Sequence, residues 1–214
     1  MLERRTVIEG FEIQEMIRSG PRGTVYEAIQ GSLLRPVALR ILAPELSQDP
    51  EFVERFWRQE WPEHPHIVPV YEAGQCAHGL FVAMQLIRGE TLVETLAHGA
   101  PQRSSALALL GQIASALDAA HEAGLAHGCL RPEAVLLDDG GWAWLSDFGL
   151  TPGAATVPSD QAAFAALMRA CLGKRAVPKG RWETASALVE AVATPSDRAT
   201  DRDGGGRRRL RMRR

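Results

Sequence analysis

The feature that most constrains this chain is a change of hydrophobic period partway along it. Residues 8–30 alternate apolar and polar positions around a glycine-containing turn, and residues 36–43 (PVALRILA) form a short apolar run. Both patterns predict strands, because successive side chains of an extended backbone point to opposite faces. Residues 48–60 predict a helix with Pro50 in its first turn, where no N–H is needed, and Pro62 as its stop. Two further strands are predicted at 66–72 and 79–87. Beyond them the period lengthens: residues 103–123 read as an Ala/Leu helix with apolar positions at 107, 110, 113, 114 and 117. AVLL and WAWLS predict a strand pair split by Asp138-Asp139-Gly140-Gly141, a hairpin signal, and helices follow at about 159–172 and 182–193. Strands first and helices later imply an α+β protein of two lobes, the second mostly helical.

Composition narrows the classes. With 214 residues, 45% hydrophobic, the chain suits one globular unit. No stretch reaches the roughly 18 uninterrupted apolar residues of a membrane span. MLERRTVIEG has no apolar core after its charges and does not read as a secretory signal. Cys76, Cys129 and Cys171 are odd in number and lack metal-ligand spacing, which fits a reducing cytosol. There are 22 arginines, two lysines (Lys174 and Lys179) and no asparagine. The net charge is −2, yet six of the last eight residues are arginine, so residues 1–206 carry −8. From Thr194 the apolar pattern ends, and TPSDRATDRDGGG reads as a flexible linker to that basic tail.

Several segments then fall into a known order. IRSGPRGTVYEA (17–28) resembles a glycine-rich loop, and VALRIL (37–42) the strand bearing an ATP-pairing lysine. HPHIVPVYEAG (64–74) is similar to the segment after helix αC, HGCLRPEAVLL (127–137) to a catalytic loop, and SDFGL (146–150) to a D-F-G motif. PSDQAAFAALMRACLG (158–173) resembles the buried helix αF, and RWETASALVEAV the last helix of the domain. Together they resemble the bacterial Ser/Thr protein kinases of eukaryotic type over about residues 8–193. The resemblance implies a two-lobed kinase fold, with an N-lobe of about 8–87 and a shortened C-lobe of about 88–193. Residues 194–214 remain as linker and Arg-rich tail.

The same resemblance exposes departures at the positions that carry phosphoryl transfer, which rests on placing phosphates and neutralising their charge. The glycine pattern falls on Arg18, Gly20 and Gly23, and the two glycines either cradle a phosphate or only shape a hairpin. Arg40 stands at the lysine position, with no lysine before Lys174 to replace it. The αC glutamate falls on Gln59 or Glu60, and an Arg40–Glu60 ion pair, if formed, is either structural, the favoured reading, or part of an active site. Cys129 takes the place of the catalytic aspartate, Gly128 of the preceding arginine, Arg131 of the lysine and Ala134 of the metal-binding asparagine. A thiol is no carboxylate base, and losing a positioned base costs roughly 10²–10⁴-fold in rate. Cys129 is either a reactive thiol or a small buried residue. Asp147 either holds one magnesium ion or persists because Phe148 and its turn pack on His127.

Only twelve residues separate Asp147 from Asp160, where the family fits a whole activation segment. Met84 matches the gatekeeper and Gln85, Leu86 and Ile87 the hinge, while Val25, Ala38 and Leu136 match the walls of a purine slot. Such residues are also ordinary core.

The resemblance implies a pseudokinase: a cytoplasmic binding and regulatory module for a protein partner such as another kinase, with weak ATP binding at most. The six tail arginines either attract anionic lipid, at the inner membrane face, or nucleic acid, or form only a solvated end. An atypical active kinase, supported by Asp147, and a degenerate remnant remain as alternatives.

Overall fold

The chain is described from a computed structural model that covers residues 2–153, 155–178 and 180–194. The basic tail and all of the linker beyond Thr194 lie outside the described residues. The first lobe is built on β1 (Val7–Ile8), β2 (Phe11–Gly20), β3 (Gly23–Gln30), β4 (Arg35–Leu42), β5 (Val70–Cys76) and β6 (Gly79–Gln85). These pair antiparallel in the order β1-β2-β3-β4-β6-β5. Two short helices, α1 (Pro44–Ser47) and α2 (Pro50–Arg58), sit in the β4–β5 connection. One apolar cluster, with Phe11, Ile13, Ala28, Leu39 and Phe81, covers one face of the sheet. A second, with Leu42, Phe52, Phe56, Leu80 and Val82, joins the other face to α2.

The second lobe begins with β7 (Gly89–Thr91) and α3 (Leu92–His98), then α4 (Arg103–Glu122). A 3-10 turn at Pro132–Ala134 leads into β8 (Val135–Asp138) and β9 (Ala143–Leu145), followed by α5 (Val157–Leu172) and α6 (Ala185–Ala193). α4 buries Leu110, Ile113, Ala114 and Leu117, the stripe that its three-to-four spacing predicts, among residues of α5, α6 and β9. The predicted hairpin forms: Asp138 Oδ1 accepts N–H groups from Gly140 and Trp142, both at 2.9 Å, and pins the β8–β9 turn. This is the protein-kinase architecture, a β-sheet lobe on a helical one.

Two boundaries differ from expectation for local reasons. α2 stops at Arg58 and not at Pro62, because Gln59 is already extended (ψ 124°) and its side chain donates to Phe148 O at 3.0 Å. The strand expected at 66–72 runs instead from Val70 to Cys76, since Ile67 and Val68 bridge to Leu145 in the other lobe. α3 was not predicted. It is held by a capping box in which Thr91 and Glu94 bond each other's backbone N–H groups, at a three-residue spacing visible in the sequence.

Candidate functional site

Antiparallel register decides which side chains meet between the lobes. Val25 on β3 lies opposite Arg40 on β4, and Ala38 opposite Met84 on β6. With Gln85 at the end of β6, Ile87 beyond it, Leu136 of β8 and Asp147, they line a cavity of about 200 Å³. All the positions expected around a purine base and its phosphates therefore converge, except the two glycines. Gly20 and Gly23 line an adjoining cavity of about 190 Å³, which shares Arg18, Val25, Arg40 and Asp147 with the first. Gly23 is structural: at φ +119° its added Cβ would lie 2.8 Å from Leu42 Cα. Gly20 has no such restraint, since a Cβ there meets nothing within 4 Å.

Arg40 does not pair with Glu60. Its Nη2 lies 2.8 Å from Asp147 Oδ1, with the two side chains 6% and 2% exposed. Glu60 is exposed beyond the end of α2, which ends too early to turn a carboxylate toward β4. The Arg40–Asp147 contact is a charge contact without hydrogen-bond alignment, and among the described residues Arg40 Nε and Asp147 Oδ1 have no hydrogen-bond partner. Asp147 itself adopts φ +71°, a conformation that costs a non-glycine residue of order 1–3 kcal/mol unless its surroundings impose it. Leu150 N and Gly149 N help to impose it, donating to Asp147 O (3.3 Å) and His127 O (3.1 Å).

This geometry bears on a metal ion. Ala134, at the asparagine position, is fully buried, and its carbonyl accepts from Ser146 N at 2.9 Å and Ser146 Oγ at 3.1 Å. Among the described residues no group of three or more His, Cys, Asp or Glu side chains could hold a metal. Asp147, the one acidic residue at a metal-matching position, faces a guanidinium. The residues present do not fit a tightly held magnesium ion. The first cavity has apolar walls from Val25, Ala38, Met84 and Leu136.

The catalytic-loop segment is well built although its chemistry is altered. Asp160, on α5, is 1% exposed and accepts the backbone N–H of His127 at 2.6 Å and of Gly128 at 2.8 Å. His121 Nε2 adds a third bond at 2.9 Å. His127 is fully buried, packs on Phe148 with ring centroids 4.5 Å apart and planes tilted by 44°, and accepts from Cys129 N at Nδ1. Cys129 is buried, and that burial pushes its thiol up to about 11. The thiol is therefore protonated at neutral pH, and its side chain packs as a small buried residue. Gly128 has φ +77°, and a Cβ there would lie 2.6 Å from both Ala155 Cβ and Thr151 Cγ2. The short 148–156 connection thus occupies the space that a side chain at 128 would need.

Helix α2 grips that connection. Arg55 Nη2 donates to Thr151 O at 3.1 Å, Gln59 Nε2 to Phe148 O, and Leu150 inserts among Leu42, Phe52 and Phe56. Sequence reasoning missed this role of Gln59 and Arg55, and it missed Arg22. Arg22 lies at the tip of the β2–β3 hairpin and lines the second cavity with Arg18, Arg40 and Arg131. The scarcity of lysine beside abundant arginine was the available signal.

Comparison with known proteins agrees with the architecture. The chain matches the protein kinase domain family over residues 11–166. It is 37% identical over 145 residues to the serine/threonine-protein kinase PknE of Mycobacterium bovis, covering 65% of this chain and 26% of that one. It is 36% identical over 157 residues to PknJ of Mycobacterium tuberculosis, covering 70% and 27%. The chain thus spans about a quarter of the length of these relatives. The crystal structure of the Mycobacterium tuberculosis PknI kinase domain superposes with a TM-score of 0.78 at 23% identity, over 90% of this chain and 98% of that one, a likeness of fold. By its fold, its ordered motifs and its match over more than half its length, the chain belongs to the protein kinase domain family.

Proposed function

We propose that this protein is a pseudokinase, a kinase-like module that binds and regulates a protein partner without transferring phosphate. The observation that carries the reading is the buried Arg40–Asp147 pair, which turns the phosphate-anchoring position and the metal-matching carboxylate toward each other. Three further features support it: a protonated thiol at the base position, an alanine at the asparagine position, and a twelve-residue connection in place of an activation segment. The arginines of residues 207–214 would draw such a module to an anionic surface such as the inner membrane face, through attraction that salt screens. Among the described residues no helix is long and apolar enough to cross a membrane.

The test is incubation with labelled ATP and magnesium or manganese, alone and with a generic protein substrate. No incorporation is expected. Reproducible labelling that disappears in Asp147→Ala would overturn the reading in favour of an atypical active kinase.

A further inference from the structure

Four guanidinium groups, from Arg18, Arg22, Arg40 and Arg131, line the second cavity against two carboxylates, Asp147 and Glu133. Arg40 is matched by Asp147, and Arg131 Nε lies 3.8 Å from Glu133 Oε2, a loose contact. Arg22 Nε and Nη1 and Arg131 Nε are shielded from solvent, yet make no hydrogen bond among the described residues. Burial lowers the pKa of Arg18 and Arg22, the cost of holding cations away from water, although arginine stays protonated. Buried donors without acceptors are costly, and among the described residues Arg18 and Arg22 form no salt bridge. An anion carrying several oxygens would satisfy both demands at once, through the charge-assisted, forked bonds that guanidinium makes to phosphate.

The neighbouring cavity gives the rest of the ligand. It shares Arg18 and Arg40 with the anion pocket, has apolar walls from Val25, Ala38, Met84 and Leu136, and carries Glu90 and Glu94 on its lining. Carboxylates there suit hydroxyl donors rather than a second phosphate. We infer that Arg18, Arg22 and Arg131 form a metal-free polyphosphate site, in which arginine takes over charge neutralisation and the ligand is a nucleoside polyphosphate. A magnesium ion does not assist such a site. It reduces the charge of the polyphosphate it chelates, and Asp147 meets it only by giving up Arg40. Magnesium should therefore weaken binding. This inference rests on the pseudokinase reading but fails separately: that reading falls on phosphate incorporation, this one on binding.

Titration calorimetry of the full chain tests it with ATP, AMP and inorganic tripolyphosphate, each in EDTA and in excess magnesium. Expected are ATP binding in EDTA, AMP binding at least about tenfold weaker, and a loss of ATP affinity when magnesium is added. ATP binding tighter than tripolyphosphate assigns a nucleoside polyphosphate, whereas equal affinity assigns a free polyphosphate and keeps only the arginine site. Arg22→Gln and Arg131→Gln should each weaken ATP about tenfold in EDTA (roughly 1.4 kcal/mol) while leaving AMP nearly unchanged. If a variant fails to fold, the magnesium effect on the unaltered protein decides alone. No ATP binding in EDTA, tighter binding with magnesium, or folded variants that bind like the parent would each overturn the inference.

Discussion

Asp160 Oδ1 accepts the backbone N–H of Gly128 at 2.8 Å across 32 residues of sequence, and so the helical lobe fixes the loop beneath the cleft. Removing the carboxylate in Asp160→Ala would leave the His127 and Gly128 donors buried and unpaired. Bonds to a charged acceptor contribute roughly 1.5–3 kcal/mol each, so a loss of about 3 kcal/mol or more is expected at neutral pH. Burial pushes the Asp160 pKa up, but hydrogen bonds from His121, Gly128 and His127 outweigh it and hold the pKa below the ordinary carboxylate value. A carboxylate depressed in the folded state adds stability that is complete above its unfolded pKa of about 3.9 and is lost as pH falls through the folded value. Urea midpoints of parent and variant should therefore stay apart from pH 7 to about pH 5 and converge below about pH 4. A gap that stays constant into that acid range would mean the carboxylate charge contributes nothing.

The Arg40–Asp147 pair should behave as buried ion pairs do. Removing either partner strands a buried charge, and Arg40→Met or Asp147→Leu alone should cost about 3–5 kcal/mol. The double variant Arg40→Met/Asp147→Leu should recover most of that loss, because neither charge then needs water. Position 147 keeps its positive φ in all four proteins; leucine tolerates that φ less well than aspartate, and the added strain is common to Asp147→Leu and the double variant, so it cancels in the coupling energy. Chemical denaturation of the four proteins gives the coupling energy directly. Additive single losses would show that the 2.8 Å contact is energetically idle.

What could be read from the sequence was what depends on local pattern. The period change between residues 87 and 103, the Asp138–Gly141 hairpin and the buried stripe of α4 each follow from side chains spaced along one element. The cavity walls were legible only through the family resemblance, which matched Val25, Ala38, Met84 and Leu136 to them; the register of β3, β4 and β6 then sets Ala38 opposite Met84. Partner choice across the cleft was not legible. Whether Arg40 meets Glu60 or Asp147 depends on where α2 ends, and that end is set by a tertiary bond from Gln59 to Phe148. The convergence of Arg22 and Arg131, 109 positions apart in the chain, likewise exists only once the lobes meet.

His127 makes a second, distinct pH dependence. Burial lowers its pKa, with the charges of Asp160 and Asp147 opposing the shift only in part. The unfolded state, with an imidazole pKa of about 6.5, then binds more protons than the folded state as pH drops below that value. Stability should fall on acidification from about pH 6.5, by at most roughly 1.4 kcal/mol per pH unit for this one group. His127→Gln should be less stable at pH 7 but show a flatter profile between about pH 6.5 and 5. His64, whose pKa is lowered by burial and by the neighbouring His66, adds to the same slope, so His64→Gln is the control. Equal slopes for the parent and His127→Gln would show that the buried imidazole is not the group titrating.

Gly128 tests whether the altered catalytic loop can be returned to the family pattern. Its φ of +77° already disfavours any side chain, and the added Cβ would lie 2.6 Å from both Ala155 Cβ and Thr151 Cγ2. Gly128→Ala carries the backbone penalty together with that overlap and should cost about 1–3 kcal/mol. Gly128→Arg should cost at least as much, because the guanidinium must leave through the space that the 148–156 connection fills. The connection cannot simply swing away, since Arg55 and Gln59 bond it and Leu150 is buried under α2. The expected result is a lowered urea midpoint for both variants, with Arg55→Ala partly relieving Gly128→Arg by freeing Thr151. If Gly128→Arg is as stable as the parent, the connection is not held against the loop, and the contact at residue 128 does not explain why an arginine is absent there.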